Sequence, residues 1–245
     1  MYNLLLALAA GAVVYALVAW WTGWIAGILP AVIVLVLTYV VLARRSGRQL
    51  EAIFKRAAKE MEAGRLDQVR KIMDEGFVLG RWQFLVAAQI HSQLGALDYG
   101  EASMRQTGNF KSARKHLEKA WSRNWQAQAM LAAIDHREGN NAAALERLEK
   151  LKSSGAKEAL YWGLFAYIAN KTGDADKALQ VLDLGQQQLP SSDALKNMAN
   201  QVRNKKDVKM KPFAPGWYQF FPDQIPKESL MQARRPGYTY PQPRR

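Results

Sequence analysis

The stretch AWWTGWIAGILP, Ala19 to Pro30, lies inside an apolar run that extends from Leu4 to Ala43. A bilayer core of roughly 30 Å is crossed by about 20 helical residues. One helix over the whole run would be about twice that length, so the chain has to turn. Thr22, Gly23, Gly27 and Pro30 are the breakers available near its middle. Trp20, Trp21 and Trp24 mark the same place, and tryptophan prefers the membrane–water interface. The stretch therefore predicts a tight hairpin, with helices near 4–20 and 24–43. Gly23 and Gly27 also form a GxxxG pair, a spacing that packs membrane helices. Their position beside the breakers favours the turn.

Small residues crowd the first helix (Ala7, Ala9, Ala10, Gly11, Ala12, Ala16, Ala19), and the second is rich in Val, Leu and Ile. Small residues let two helix backbones approach closely. Neither helix carries an ionisable side chain of the kind that marks a proton or ion pathway. A signal peptide is not expected, because Met-Tyr-Asn offers no basic n-region.

Charge sets the expected orientation. The net charge is +13, and it is unevenly placed. Residues 44–59 hold six basic side chains and one acid, and 203–245 hold ten and three; 61–202 are nearly balanced. Positive flanks stay cytoplasmic. Trp20, Trp21 and Trp24 are thus expected at one interface and Arg44, Arg45 and Arg48 at the other. Everything after residue 44 is expected in the cytoplasm, as for a two-helix protein of a bacterial inner membrane. The expected organisation is a hairpin (1–43), a basic helix start (44–60), a helical region (61–203) and a basic tail (204–245).

From Gln49 to Val202 apolar residues recur at helical spacing and glycine-containing breakers interrupt them. Four segments align on Gly64, Gly108, Gly139 and Gly173. Five residues on stand Val69, Ala113, Ala144 and Ala178; nine on stand Met73, Leu117, Leu148 and Leu182. The last two intervals are 31 and 34 residues. This pattern resembles the tetratricopeptide repeat (TPR) family, most closely in ALYWGLFAYIANKTGDADKALQVLDLGQQQLP, Ala159 to Pro190. There Trp162, Phe165 and Ala166 stand on the first helix, Gly173-Asp174 make the turn, Ala178 marks the helix crossing and Pro190 ends the unit. Helix pairs of other repeat families, HEAT among them, are the alternative. The first interval, 44 residues, departs from the pattern and predicts one long or kinked helix, with two short helices broken near Gly95 as the alternative. The expected fold is all-α: a transmembrane hairpin, a TPR-like solenoid and an irregular tail rich in proline and aromatics.

The resemblance implies a concave face that binds extended peptides or partner helices. By that resemblance its groove is lined by Asp98, Ala102, Arg105, Gln106, Ala133, His136, Arg137, Gly163, Tyr167, Asn170 and Lys171. This ridge is mildly basic, and arginine pairs bidentately with carboxylate, so an acidic peptide suits it. The family's carboxylate-clamp pattern is not matched, and chaperone-tail binding is not expected.

No phosphate loop, HExxH or nucleophile elbow is present. The chain has no cysteine and three histidines. His116 is expected to face solvent, and His91 to be a packing residue rather than a ligand. No cofactor, no metal and no enzymatic activity are expected. Asn170-Lys-Thr172 matches a glycosylation sequon, but a cytoplasmic helix end makes that a chance match.

The tail from Met210 holds seven of the nine prolines. Its aromatic part predicts docking through Phe213, Trp217, Tyr218, Phe220 and Phe221. The terminal ARRPGYTYPQPRR reads as free chain. Basic residues with aromatics also suit anionic lipid or RNA, but no nucleic-acid module is recognisable. The expected partners are proteins and membrane lipids. The expected function is a membrane-anchored scaffold. Alternatives are a structural subunit of a larger membrane complex and a lipid- or RNA-binding adaptor led by the tail.

Overall fold

The computed structural model describes residues 1–226, and the terminal ARRPGYTYPQPRR lies outside them. These residues form eleven α-helices and short 3-10 turns, with no strand among them. They divide into two compact units, 1–94 and 95–226 among the described residues.

In the first unit α1 (Tyr2–Thr22) and α2 (Ile28–Glu62) make the hairpin. Both are long and apolar enough to cross a membrane. At about 1.5 Å per residue, α1 is about as long as a bilayer core is thick. The turn is built as the sequence suggests: Gly23 takes a φ of 93°, in the left-handed region that glycine reaches without strain. Gly27 serves the turn and the packing together, since a Cβ there would come 3.1 Å from the Tyr15 ring. Pro30, read from the sequence as a breaker, does not interrupt α2. It occupies the first turn of α2, where a backbone N–H has no intrahelical acceptor to lose. Asn3, Ala7 and Gly11 form the buried stripe of α1, four residues apart, and α2 meets it with Ala31.

No break separates the apolar part of α2 from its basic part. The helix passes positions 43 and 60 and ends at Glu62. Beyond the apolar segment, Leu50, Ile53 and Ala57 turn to one face and pack with Val69 and Met73 of α3 (Leu66–Gly76). A 3-10 turn (Phe77–Arg81) follows, then α4 (Val86–Met104), whose Val86 and Ile90 are buried in this unit. The long interval noticed in the sequence thus contains a 3-10 turn and one uninterrupted helix.

The second unit begins within α4 at Gly95 and continues with α5 (Lys111–Leu117), α6 (Trp125–Arg137), α7 (Asn141–Lys150), the single turn α8 (Lys152–Gly155), α9 (Ala159–Lys171), α10 (Ala175–Gln188) and α11 (Asp193–Arg203). Sequential helices pack in pairs, α6 on α7 and α9 on α10, and α9 also meets α6, α7 and α11. Asn124, Asn140, Asp174 and Ser192 cap helix starts by accepting from the backbone N–H three residues on.

The aligned positions have a common structural basis. Gly64, Gly139 and Gly173 all have positive φ, each just past a helix C-terminus. At Gly173 its N–H donates to the Asn170 carbonyl and the next N–H, of Asp174, to Ala169, the double closure that favours glycine. Gly108 differs. The closing left-handed residue of α4 is Gln106 (φ 53°), with Thr107 N–H donating to Ala102. All eight positions five and nine residues after the four glycines are buried.

Gly95 does not break α4. It is where α5 comes closest: a Cβ there would lie 2.6 Å from Leu117 Cγ and 3.0 Å from Leu117 N. Gly95→Val is expected to cost about 1–3 kcal/mol by overpacking, read as a lower denaturation midpoint. A variant at Gly100, where a Cβ meets nothing within 4 Å, serves as control and is expected to stabilise slightly, because glycine is a weak helix former.

A candidate peptide groove filled by the chain itself

The residues expected to line a groove come mainly from α6 and α9. Ala133 is fully buried, and His136, Arg137 and Tyr167 are half-buried beside it. What covers them is the chain's own segment 210–224. It is not extended throughout, because 3-10 turns form at Lys211–Phe213, Gly216–Gln219 and Pro222–Gln224. Phe213, Trp217, Phe220 and Phe221 are buried in the second unit's core, with Tyr218 packed at its edge.

Phe213, Trp217 and Phe221 each meet a residue read from the sequence as groove lining, whereas Phe220 packs on Trp125 at 6.1 Å and its carbonyl accepts from Tyr99. Phe213 lies on Gly163, where a Cβ would come 2.8 Å from Phe213 Cζ. Tyr167 stands edge-on to Trp217 (4.8 Å between ring centroids) and to Phe221 (5.4 Å). Trp217 and Phe221 stack at 4.6 Å, and Trp217 Nε1 donates to Gln224 Oε1 at 2.8 Å. His136 meets Phe221 edge-on and shares a 2.7 Å hydrogen bond with Asn141. Lys171 sits 5.8 Å from the centroid of the Tyr167 ring.

Arg137 is the polar centre. Its guanidinium pairs with the Asp223 carboxylate, and Nε donates to Tyr99 Oη at 3.1 Å. Its charge also lies over three rings, closest to Phe221 at 5.1 Å. Tyr99 Oη in turn donates to the Phe220 carbonyl, satisfying a backbone acceptor that burial would otherwise leave unpaired. An arginine flanked by rings and paired with a carboxylate is the chemistry expected for an acidic peptide. The acid here belongs to the protein itself.

Burial pushes the Tyr99 phenol above its ordinary range, against the lowering effect of Arg137. The buried Tyr161, whose hydroxyl donates to Leu148 O at 2.7 Å, is raised for the same first reason. Below about pH 10 both phenols are protonated folded and unfolded, so neither shifts the equilibrium. Above it the unfolded chain releases protons that the folded chain keeps, and stability falls. The urea midpoint of the protein is expected to drop above about pH 10, and less steeply in Tyr99→Phe.

Other expected lining residues lie elsewhere. Asp98 accepts from Ser112 of α5 at 2.5 Å, and Arg105 pairs with Glu101 one turn back at 2.9 Å. Gln106 closes α4, and the Asn170 carbonyl closes α9. Ala102 packs at the core's edge. Trp20, Trp21 and Trp24 are exposed at the hairpin turn, and Arg44, Arg45 and Arg48 are exposed on α2. His116 is half-buried rather than fully solvent-facing, and His91 packs on Phe77 at 4.7 Å. Among the described residues no group of three or more His, Asp or Glu is placed to hold a metal.

Sequence reasoning missed Tyr99, Phe110 and Asp223. A signal for Asp223 existed, as an acid just after the aromatic run of an otherwise basic tail. It also missed Asp135, which is 3% exposed. Asp135 joins three helices, pairing with Arg114 of α5 at 2.8 Å and Arg147 of α7 at 3.1 Å. No family model, curated protein or solved structure matches this chain.

Proposed function

We propose that this protein is a membrane-anchored, TPR-like scaffold that holds protein partners at the cytoplasmic face of a bacterial inner membrane, without catalysis. The basic segment after the hairpin supports the orientation. The repeated buried positions and glycine closures support the family resemblance. One observation carries the binding role: α6 and α9 hold an aromatic segment ending in an acid, with Arg137 on Asp223. The surface is therefore able to bind peptide of that chemistry, and its own segment 210–224 is the resident ligand. A competing partner would need aromatic anchors and a carboxylate. Otherwise partners engage the surface that remains outside the filled groove.

A second reading, a structural subunit of a larger membrane complex, is favoured by the hairpin. Its outer faces keep Leu5, Val13, Leu17, Leu29 and Leu37 exposed, available to other membrane helices as well as to lipid. Exchange of the hairpin for an unrelated one separates the two. A scaffold keeps its native-gel complex after the exchange. A subunit packed through its hairpin loses that complex while the second unit stays folded.

A further inference from the structure

Between α3 and α4 the segment 77–85 carries three large apolar side chains out of the protein: Val78 is 61% exposed, Trp82 42% and Phe84 57%. It is also tied to the start of α1. The Met1 amino group donates to the Arg81 carbonyl, and Asn3 N–H donates to Trp82 O at 3.2 Å. Tyr2 and Trp82 meet edge to face at 5.2 Å. The Asn3 side chain, only 2% exposed, donates to Ser46 Oγ at 2.9 Å and Gln83 Oε1 at 3.1 Å. One buried amide thus sets the beginning of α1, the end of the apolar part of α2 and the 77–85 segment at a single level.

That level is the end of the apolar hairpin, with Arg44, Arg45, Arg48 and Arg81 exposed around it. Three apolar residues of one short segment, held beside two helices whose own apolar faces are exposed, extend that lipid-facing surface sideways. Tryptophan with neighbouring arginines suits the headgroup boundary, where rings are half-buried and cations meet anionic lipid. The geometry points to 77–85 as a second membrane contact: an interfacial strap that seats Val78, Trp82 and Phe84 in the headgroup layer of the same leaflet as Arg44–Arg48. It rests on the reading of α1 and α2 as membrane-spanning. Its consequence is that the first helices after the bilayer are fixed to the membrane surface at two places rather than swinging on one helix.

The lack of cysteine allows single-cysteine labelling of the full chain. An environment-sensitive dye is placed at Phe84→Cys, at Leu17→Cys in the hairpin, and at Asp67→Cys on α3. The proteins are reconstituted in phosphatidylcholine–phosphatidylglycerol vesicles. The dye at 84 is expected to be quenched by headgroup-level nitroxide lipid and to lose quenching by aqueous iodide. At 17 only deep nitroxide should quench, and at 67 only iodide. If position 84 behaves as 67 does while 17 remains lipid-buried, the strap proposal is wrong and the hairpin stands. If iodide also reaches 17, the hairpin reading falls, and the strap with it. Val78→Cys, labelled likewise, is expected to repeat the result at 84; iodide quenching there would overturn a strap that seats both ends.

Discussion

Trp217→Ala is expected to destabilise the second unit by about 3–5 kcal/mol, the usual range for removing a buried large aromatic. Trp217 is 2% exposed, stacked on Phe221 and set edge-on to Tyr167. Its loss leaves a cavity between α9 and the tail and frees Gln224 from its indole partner. Chemical denaturation of the detergent-solubilised chain, followed by a reporter on α9, measures the effect. Tyr167→Ala should remove part of the same contact, so the double variant should cost less than the two singles added. Paired aromatics couple by about 0.5–1.5 kcal/mol. A change below about 1 kcal/mol for Trp217→Ala would mean that the tail lies on the surface instead of completing the core.

Asp135→Ala carries the second large expected effect, about 3–5 kcal/mol, because breaking a buried ion pair strands its partners. Arg114 and Arg147 reach Asp135 from different helices, and Arg114 also pairs with Glu138 at 2.7 Å. Burial opposes the Arg114 charge, yet Asp135 and Glu138 hold it above its ordinary range. Without Asp135 the two arginines lose the buried carboxylate they share, and only Glu138 on Arg114 and the Gln128 amide on Arg147 remain to offset their desolvation. Asp135→Asn keeps an acceptor and should cost less. Replacing Asp135, Arg114 and Arg147 together by apolar residues of similar size should recover most of the loss, since the net contribution of such networks is small. Recovery in the triple variant would separate the stranded-charge account from a simple packing defect.

These two sites differ in how visible they were beforehand. Tail docking was legible, because five large aromatics within nine residues cannot stay in water cheaply. Where they dock was not, although Gly163 and Tyr167 had been singled out as lining. The resemblance implied a groove, and only the folded chain shows which segment lies on its expected lining. Asp135 gave no local signal. It precedes His136 and Arg137 and reads as part of a polar helix end, while its burial depends on arginines 12 residues ahead and 21 behind. Local periodicity carries no information about such a junction.

The helical architecture was the most legible part, because its causes are local. A left-handed glycine closing a helix, and a small residue five positions on where helices cross, recur with the repeat. Gly108 shows the limit: it has positive φ and the right sequence spacing, yet Gln106 closes the helix. The continuity of α2 through residues 43–62 was hidden by the change from apolar to basic composition. The backbone continues through Gly47 because no proline stands between Ala43 and Glu62, and Leu50, Ile53 and Ala57 keep a helical stripe.

Segment 210–224 covers the α6–α9 face from within the same chain. Gly163→Cys with Phe213→Cys, in membranes and treated with a short bifunctional thiol reagent, tests this most directly. Phe213 contacts Gly163, and Trp217, Phe220 and Phe221 remain as anchors. An intramolecular cross-link formed in most molecules, without dimers, is the result the account predicts. Free reaction of both thiols with a monofunctional maleimide, with no internal link, would contradict it and leave α6 and α9 as an open face.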